Sequence, residues 1–340
     1  FPATEEARQA VQTVRLIYID QQQPEAYATW VKGLDFVNVT DAEIDNTTYE
    51  AAENKFIDNK SDAAIKGFEN YLKEFPNGIH ALKSHFYLAQ LYYNKSEFDK
   101  SLPHFKYVAE ASKSEFLEEA LRKLSQLYLE NQDYDQATTY LTELEKEASF
   151  TENKIFAQTN LMKAYYELND YQKAIAYADT VLASKQNIDD DIKSDAYIFT
   201  ARSAIKIKDE NRAKTAYEMV ETVAEGERMA EALFYKAYFL NKDAKFAKSS
   251  EVIQNELAKN YSRYREFGVK ALVIMAKNYY ALGDAFQANY ILESILKNYS
   301  EQYPEIAKEA QTELNIIKAK EAETNASVEQ TQVEKDKDKQ

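Results

Sequence analysis

The sequence contains no cysteine, so disulfide frameworks and thiolate metal sites are excluded, while reducing and oxidising compartments both stay open. Glycine and proline are scarce, 6 and 5 in 340 residues, which leaves little material for the tight turns of a sheet protein. No apolar run approaches the roughly 20 residues a bilayer-spanning helix needs, so no membrane insertion is expected. Basic residues are outnumbered, 42 against 57 acidic, for a net charge of −15. A chain so charged is a poor match for nucleic-acid phosphates, which select clustered Lys and Arg, or for anionic lipid.

Histidines are few and confined to one region: His80, His85 and His104. No HExxH, Walker or GxSxG pattern occurs, so no catalysis and no cofactor are expected. His85 and His104 fall on paired helices and are expected to approach, but spacing fixes no third ligand, so no metal site is expected. Asp189-Asp190-Asp191 lacks the alternating ligands and turn glycine of a calcium loop and reads as a solvated loop opening a helix.

What is present is a period. The stretch Leu161 to Leu182, LMKAYYELNDYQKAIAYADTVL, reads as a helical hairpin. Leu161, Met162, Tyr165 and Tyr166 form one apolar stripe, Asn169-Asp170 supplies turn chemistry, and Ala174, Ile175, Ala178, Val181 and Leu182 form a second stripe. The small or slim position of its first helix recurs at Ala52, Ala89, Ser125, Met162, Ala201, Ala237 and Ala276, spaced 37, 36, 37, 39, 36 and 39 residues apart. A partner follows each by 12 residues, at Ala64, Ser101, Ala137, Ala174, Ala213, Ser249 and Ala288. Small residues at both places let two helices approach closely. The variable length must therefore lie between hairpins, in segments such as 184–195 and 298–305.

These residues resemble the tetratricopeptide repeat, a 34-residue helix-turn-helix unit with small residues at its eighth and twentieth positions. The resemblance spans about residues 45 to 300. It departs from the pattern in lacking Trp at the fourth position and in running two to five residues long. It implies an all-α fold, an α-solenoid of stacked hairpins. Residues 48–300 hold seven such repeats and 35–47 a connector. Residues 1–34 form a divergent repeat whose small positions carry Arg15 and Tyr27 and whose second helix opens at Pro24. Because a Phe-Pro pair also ends the first clear hairpin, Phe1-Pro2 reads as a boundary inside a longer array. A capping helix is expected over 301–320, with Ile306, Ala310, Leu314 and Ile317 on one face, and a disordered tail over 321–340.

In the family, the second, fifth, ninth and twelfth positions of each first helix face a concave groove that receives a protein or peptide ligand. The resemblance therefore implies a non-catalytic scaffold with groove candidates Tyr49, Phe86 and Phe234 at the fifth position, Lys163, Arg202, Tyr238 and Lys277 at the ninth, and Tyr93, Tyr166 and Tyr280 at the twelfth. The twelfth-position aromatics have a competing role in packing between hairpins, and the fifth position reads as more open. The two-carboxylate clamp of chaperone-binding relatives needs Lys and Asn where this chain has Tyr49 with Glu53 and Phe86 with Gln90, so that ligand is rejected. A glycan-binding envelope lipoprotein is a second reading, weakened by a single Trp and uninterrupted hairpins; an accessory array of a larger signalling protein is a third. The phrases LIYID (16 to 20), YEAAENKF (49 to 56), YLKEFPNGIHALKSHFYLAQLYY (71 to 93), ALRKLSQLYLENQDYDQA (120 to 137) and GDAFQANYILESILKNY (283 to 299) are similar to the C-terminal portion of large many-repeat proteins of Bacteroidota. That resemblance implies a periplasmic or outer-membrane-associated scaffold in envelope assembly or transport.

Overall fold

A computed structural model describes residues 4–111, 113–185 and 188–337, with side chains as far as residue 324. It is all-α, with no strand among the described residues. Two compact units divide at residue 168. The first holds α1 (Glu5–Asp20), α2 (Pro24–Lys32), α3 (Asp41–Ile57), α4 (Ser61–Glu74), α5 (Ala81–Asn94), α6 (Phe98–Glu110), α7 (Leu117–Glu130), α8 (Tyr134–Glu147) and α9 (Thr151–Glu167). The second holds α10 (Tyr171–Leu182), α11 (Asp190–Lys206), α12 (Glu210–Val223), α13 (Gly226–Lys242), α14 (Phe246–Glu251, continued as a π-helix over Val252–Ala258), α15 (Arg265–Ala281), α16 (Ala285–Tyr299) and α17 (Pro304–Lys337). Within each unit successive helices pack on one another, and first helices also meet first helices, as in α7 with α9 and α13 with α15.

One backbone device closes every hairpin. The residue seven places after the small position is left-handed in all eight: Gln22, Asn59, Ser96, Gln132, Asn169, Lys208, Ala244 and Gly283, with φ from 57° to 90°. The hydrogen bonds around it are those of a Schellman cap: Asn59 N–H donates to Phe56 C=O at 3.0 Å and Lys60 N–H to Lys55 C=O at 2.8 Å. Asp133, Asp170, Asp209 and Asp284 follow directly and cap the next helix, accepting from the backbone N–H three residues on. Gln22 keeps the register of the leading hairpin although its small positions carry Arg15 and Tyr27.

Close approach at the small positions is direct. Ala52 and Ala64 are buried, and a Cβ added to nearby Gly67 would lie 2.8 Å from that of Ala52. Where serine stands at the twentieth position, its hydroxyl reaches the carbonyl of its mate: Ser101 Oγ donates to Ala89 C=O at 2.9 Å, and Ser249 Oγ to Ala237 C=O at 2.7 Å. Asn278, fully buried, donates to Ser249 Oγ at 2.9 Å and accepts from Asn241 at 2.7 Å, which ties the sixth hairpin to the seventh.

Three boundaries differ from the sequence reading. The connector of 35–47 is cut short, because α3 begins at Asp41 behind a capping box in which Thr40 and Glu43 satisfy each other's backbone N–H. The loop of 184–195 ends early, at Asp189, whose carboxylate accepts from Ile192 N–H at 2.8 Å. The last helix runs from Pro304 to Lys337, past the boundary at 320. Lack of apolar residues argues against a packed face, but the Ala, Glu, Lys and Gln of this stretch are strong helix formers. Residues 338–340 of the expected tail, and 1–3 of the array boundary, lie outside the described residues. Ile306, Ala310, Leu314 and Ile317 close α17 over Leu292 and Ile295 of α16.

Candidate partner-binding surface

The first helices carry a stripe at positions two, six, nine and thirteen, and side chains along it bind neighbouring hairpins before any ligand. In the first unit, Glu53 (ninth) pairs with Lys83 (second of the next repeat) at 2.9 Å, and Gln90 donates to Glu119 at 3.0 Å. In the second unit, Arg202 grips Glu231 through Nε at 3.0 and 3.1 Å and Nη2 at 2.6 Å, and Lys277 meets Glu309 of α17 at 3.0 Å. Ninth position to following second position is thus a recurring rung. A neighbouring set joins position twelve to the following position six: Phe56 stacks on Tyr87 with centroids 4.3 Å apart, and Lys123 Nζ lies 4.2 Å from the Tyr93 ring centre.

These rungs redistribute the sequence candidates. Tyr49 and Phe86 are buried, 2% and 5% exposed, so the fifth position is closed in these two repeats, whereas Phe234 is half-buried. Tyr49 stacks on His80 at 4.1 Å and donates to Glu53 at 2.6 Å. Its phenol is pushed up by burial and by the Glu53 carboxylate. Against its own desolvation, bonds from Tyr49 and Lys83 hold Glu53 below the usual carboxylate range. Phe86 stacks on Phe116 at 4.5 Å. Arg202 and Lys277 are spent on carboxylates. Glu231 is itself buried and also accepts from Tyr217 Oη at 2.9 Å, and burial with that carboxylate pushes the Tyr217 phenol up. Lys163 and Tyr166 are half-buried on α9; Tyr280 is half-buried with Lys320 Nζ 5.8 Å from its ring centre.

A run of half-exposed aromatics lies on α13. Phe234, Tyr235 and Tyr238 are each half-buried; Tyr235 meets Phe234 and Tyr238 edge-on at 4.9 and 6.0 Å and stacks on Tyr217 at 4.2 Å. Lys242 Nζ lies 5.7 Å from the Tyr238 ring centre. Position six, which supplies Tyr87 and Tyr235, is what sequence reasoning missed. Charge complementarity at a separation of about 30 residues, ninth position to the next second, is the signal that could have found the rungs.

His85 and His104 do come together, Nδ1 to Nδ1 at 2.7 Å. Among the described residues no group of three or more His, Cys, Asp or Glu is placed to hold a metal ion, and no helix is long and apolar enough to cross a membrane.

Residues 270–301 match the tetratricopeptide repeat family model. That stretch covers most of α15 and all of α16, the hairpin whose turn carries Gly283. No curated protein matches the sequence. Among solved structures, a tetratricopeptide repeat protein from Parabacteroides merdae is similar at 12% identity over 78% of this chain and 98% of its own, with a TM-score of 0.39. Yeast Tom70 is similar at 14% identity over 92% and 72%, TM-score 0.41. Naa15/Naa10 bound to HypK is similar at 14% identity over 83% and 42%, TM-score 0.44. All three fall below 0.5, so the tetratricopeptide-like architecture stands on the eight turn caps, the paired small positions and the rungs between first helices.

Proposed function

We propose that this chain is a non-catalytic protein-interaction scaffold that takes a peptide or partner segment on the first-helix face, within the cell envelope. The observation that carries the reading is the α13 shelf, where Phe234, Tyr235 and Tyr238 lie side by side on one helix and each ring stays half-exposed. Rigid aromatic rings offer contact area at low entropic cost and dominate interfaces energetically. The sequence phrases shared with exported Bacteroidota repeat proteins support the periplasm or outer membrane as its place. The test is cross-linking and affinity capture from envelope and cytosolic fractions, with wild type beside Phe234→Ala/Tyr238→Ala. A partner held by wild type, lost by the variant and enriched in the envelope fraction supports the reading. An unchanged set of captured proteins, with helicity intact, removes the shelf from it.

A further inference from the structure

His85 on α5 and His104 on α6 face each other across the second hairpin, and their geometry discriminates between two uses. Nδ1 lies 2.7 Å from Nδ1 while the ring centroids are 4.9 Å apart, close to the largest separation two imidazoles so joined can have. The rings therefore meet end to end. A chelated ion would need both lone pairs to converge on a third point; here each points at the other nitrogen, which is the geometry of a hydrogen bond with one Nδ1–H donating. An end-to-end pair has a definite proton capacity. Neutral, one ring carries its proton on Nδ1 and the other on Nε2. One added proton goes to the donor ring's Nε2 and leaves the bond in place, now charge-assisted. A second added proton has only the accepting Nδ1 to occupy, and two N–H groups then confront each other.

We propose that the His85–His104 contact is an acid-sensitive latch across the α5–α6 hairpin, held shut while the two imidazoles have at most one Nδ1 proton between them and forced open when each carries its own. The surroundings offer the second charge little relief. From α6, Tyr107 stacks on His85 with centroids 3.8 Å apart. From α5, the Tyr92 ring lies nearly parallel to His104, with Lys100 of α6 5.3 Å from its centre. From α4, Glu69 accepts from the Tyr92 hydroxyl and is the one carboxylate acting on His104. On α7, Tyr128 is taken by Lys106, 5.5 Å away. Burial holds both imidazoles below the usual histidine range, with the His104 charge adding to the effect on His85, which falls to about 4. Because the folded values lie below the unfolded one, stability is whole above the unfolded value of about 6.5 and is lost as pH falls from there towards about 4.

The experiment compares amide protection factors of the full chain at about pH 7 and about pH 5, a span in which most carboxylates stay charged. Its control is His85→Asn/His104→Asn, where two carboxamides can bond without titrating. Wild type is expected to lose protection on α5 and α6 by roughly tenfold more than on α11 and α12, and the double variant to lose none selectively. Equal acid loss in both proteins, or none in wild type, overturns the latch. If the double variant does not fold, nitrogen NMR of the wild-type imidazoles decides: two coupled steps with the second below about pH 5 support the proposal, and two independent titrations near 6.5 overturn it.

Discussion

Removing the Glu231 carboxylate is the sharpest test of the rungs. Its side chain is 6% exposed and takes three hydrogen bonds from Arg202 and one from Tyr217, whereas Arg202 is 34% exposed. Glu231→Ala strands the buried Tyr217 hydroxyl, a loss of about 1–3 kcal/mol. Arg202 loses the Glu231 carboxylate but is exposed enough to turn to water, so only part of the roughly 3–5 kcal/mol typical of a broken buried pair applies. About 3 kcal/mol in total is expected. Arg202→Met is worse, because it leaves a buried carboxylate with only the Tyr217 hydroxyl against it, and Arg202→Met/Glu231→Met recovers the charge part of that deficit but not the stranded Tyr217 hydroxyl, because neither charge is then buried alone. Urea unfolding followed by helical circular dichroism reads all three, with hydrogen exchange on α11 to α13 to localise the change, since repeat arrays need not unfold as one unit. A Glu231→Ala effect below about 0.5 kcal/mol, or a double variant as unstable as the sum of the singles, would refute the account.

Ala244→Gly should stabilise by about 0.5–1 kcal/mol, because alanine at φ 57° is strained, and a lower melting temperature would contradict it. Gly67→Ala should destabilise by about 1–3 kcal/mol, since its Cβ would press on Ala52; denaturant midpoints decide. Ala237→Leu should cost a similar about 1–3 kcal/mol by wedging α13 from α14 and breaking the Ser249 bond to the Ala237 carbonyl, and an unchanged midpoint would show the close contact to be misplaced.

The hairpins were legible in the sequence because close packing leaves so few choices at two positions 12 residues apart: the buried mates Ala89 and Ser101, or Ala237 and Ser249, admit nothing larger. The turn was legible at Asn169-Asp170 and Gly283 but not at the other hairpins, since a left-handed residue can also be Gln, Ser, Lys or Ala when the Schellman bonds hold it. Thr40 with Glu43 was a readable capping box, passed over because the segment's β-branched residues suggested a connector. The candidate surface was the least legible part. A family's groove positions state which way side chains point, not whether the next hairpin uses them, and Arg202, Lys277 and Tyr49 are all used.

Rungs that differ from joint to joint turn a string of similar hairpins into an ordered one. Glu53 meets Lys83, whereas Arg202 meets Glu231. Placing the hairpin of Lys83 after that of Arg202 would set cation against cation, and the hairpin of Glu231 after that of Glu53 would set two carboxylates together. The hairpins of Glu53 and Arg202 therefore each carry a mark of what must follow them. Shuffling, duplicating or deleting one would create at least one mismatched joint even where every helix still formed, so the array behaves as a sentence with fixed word order rather than as interchangeable beads.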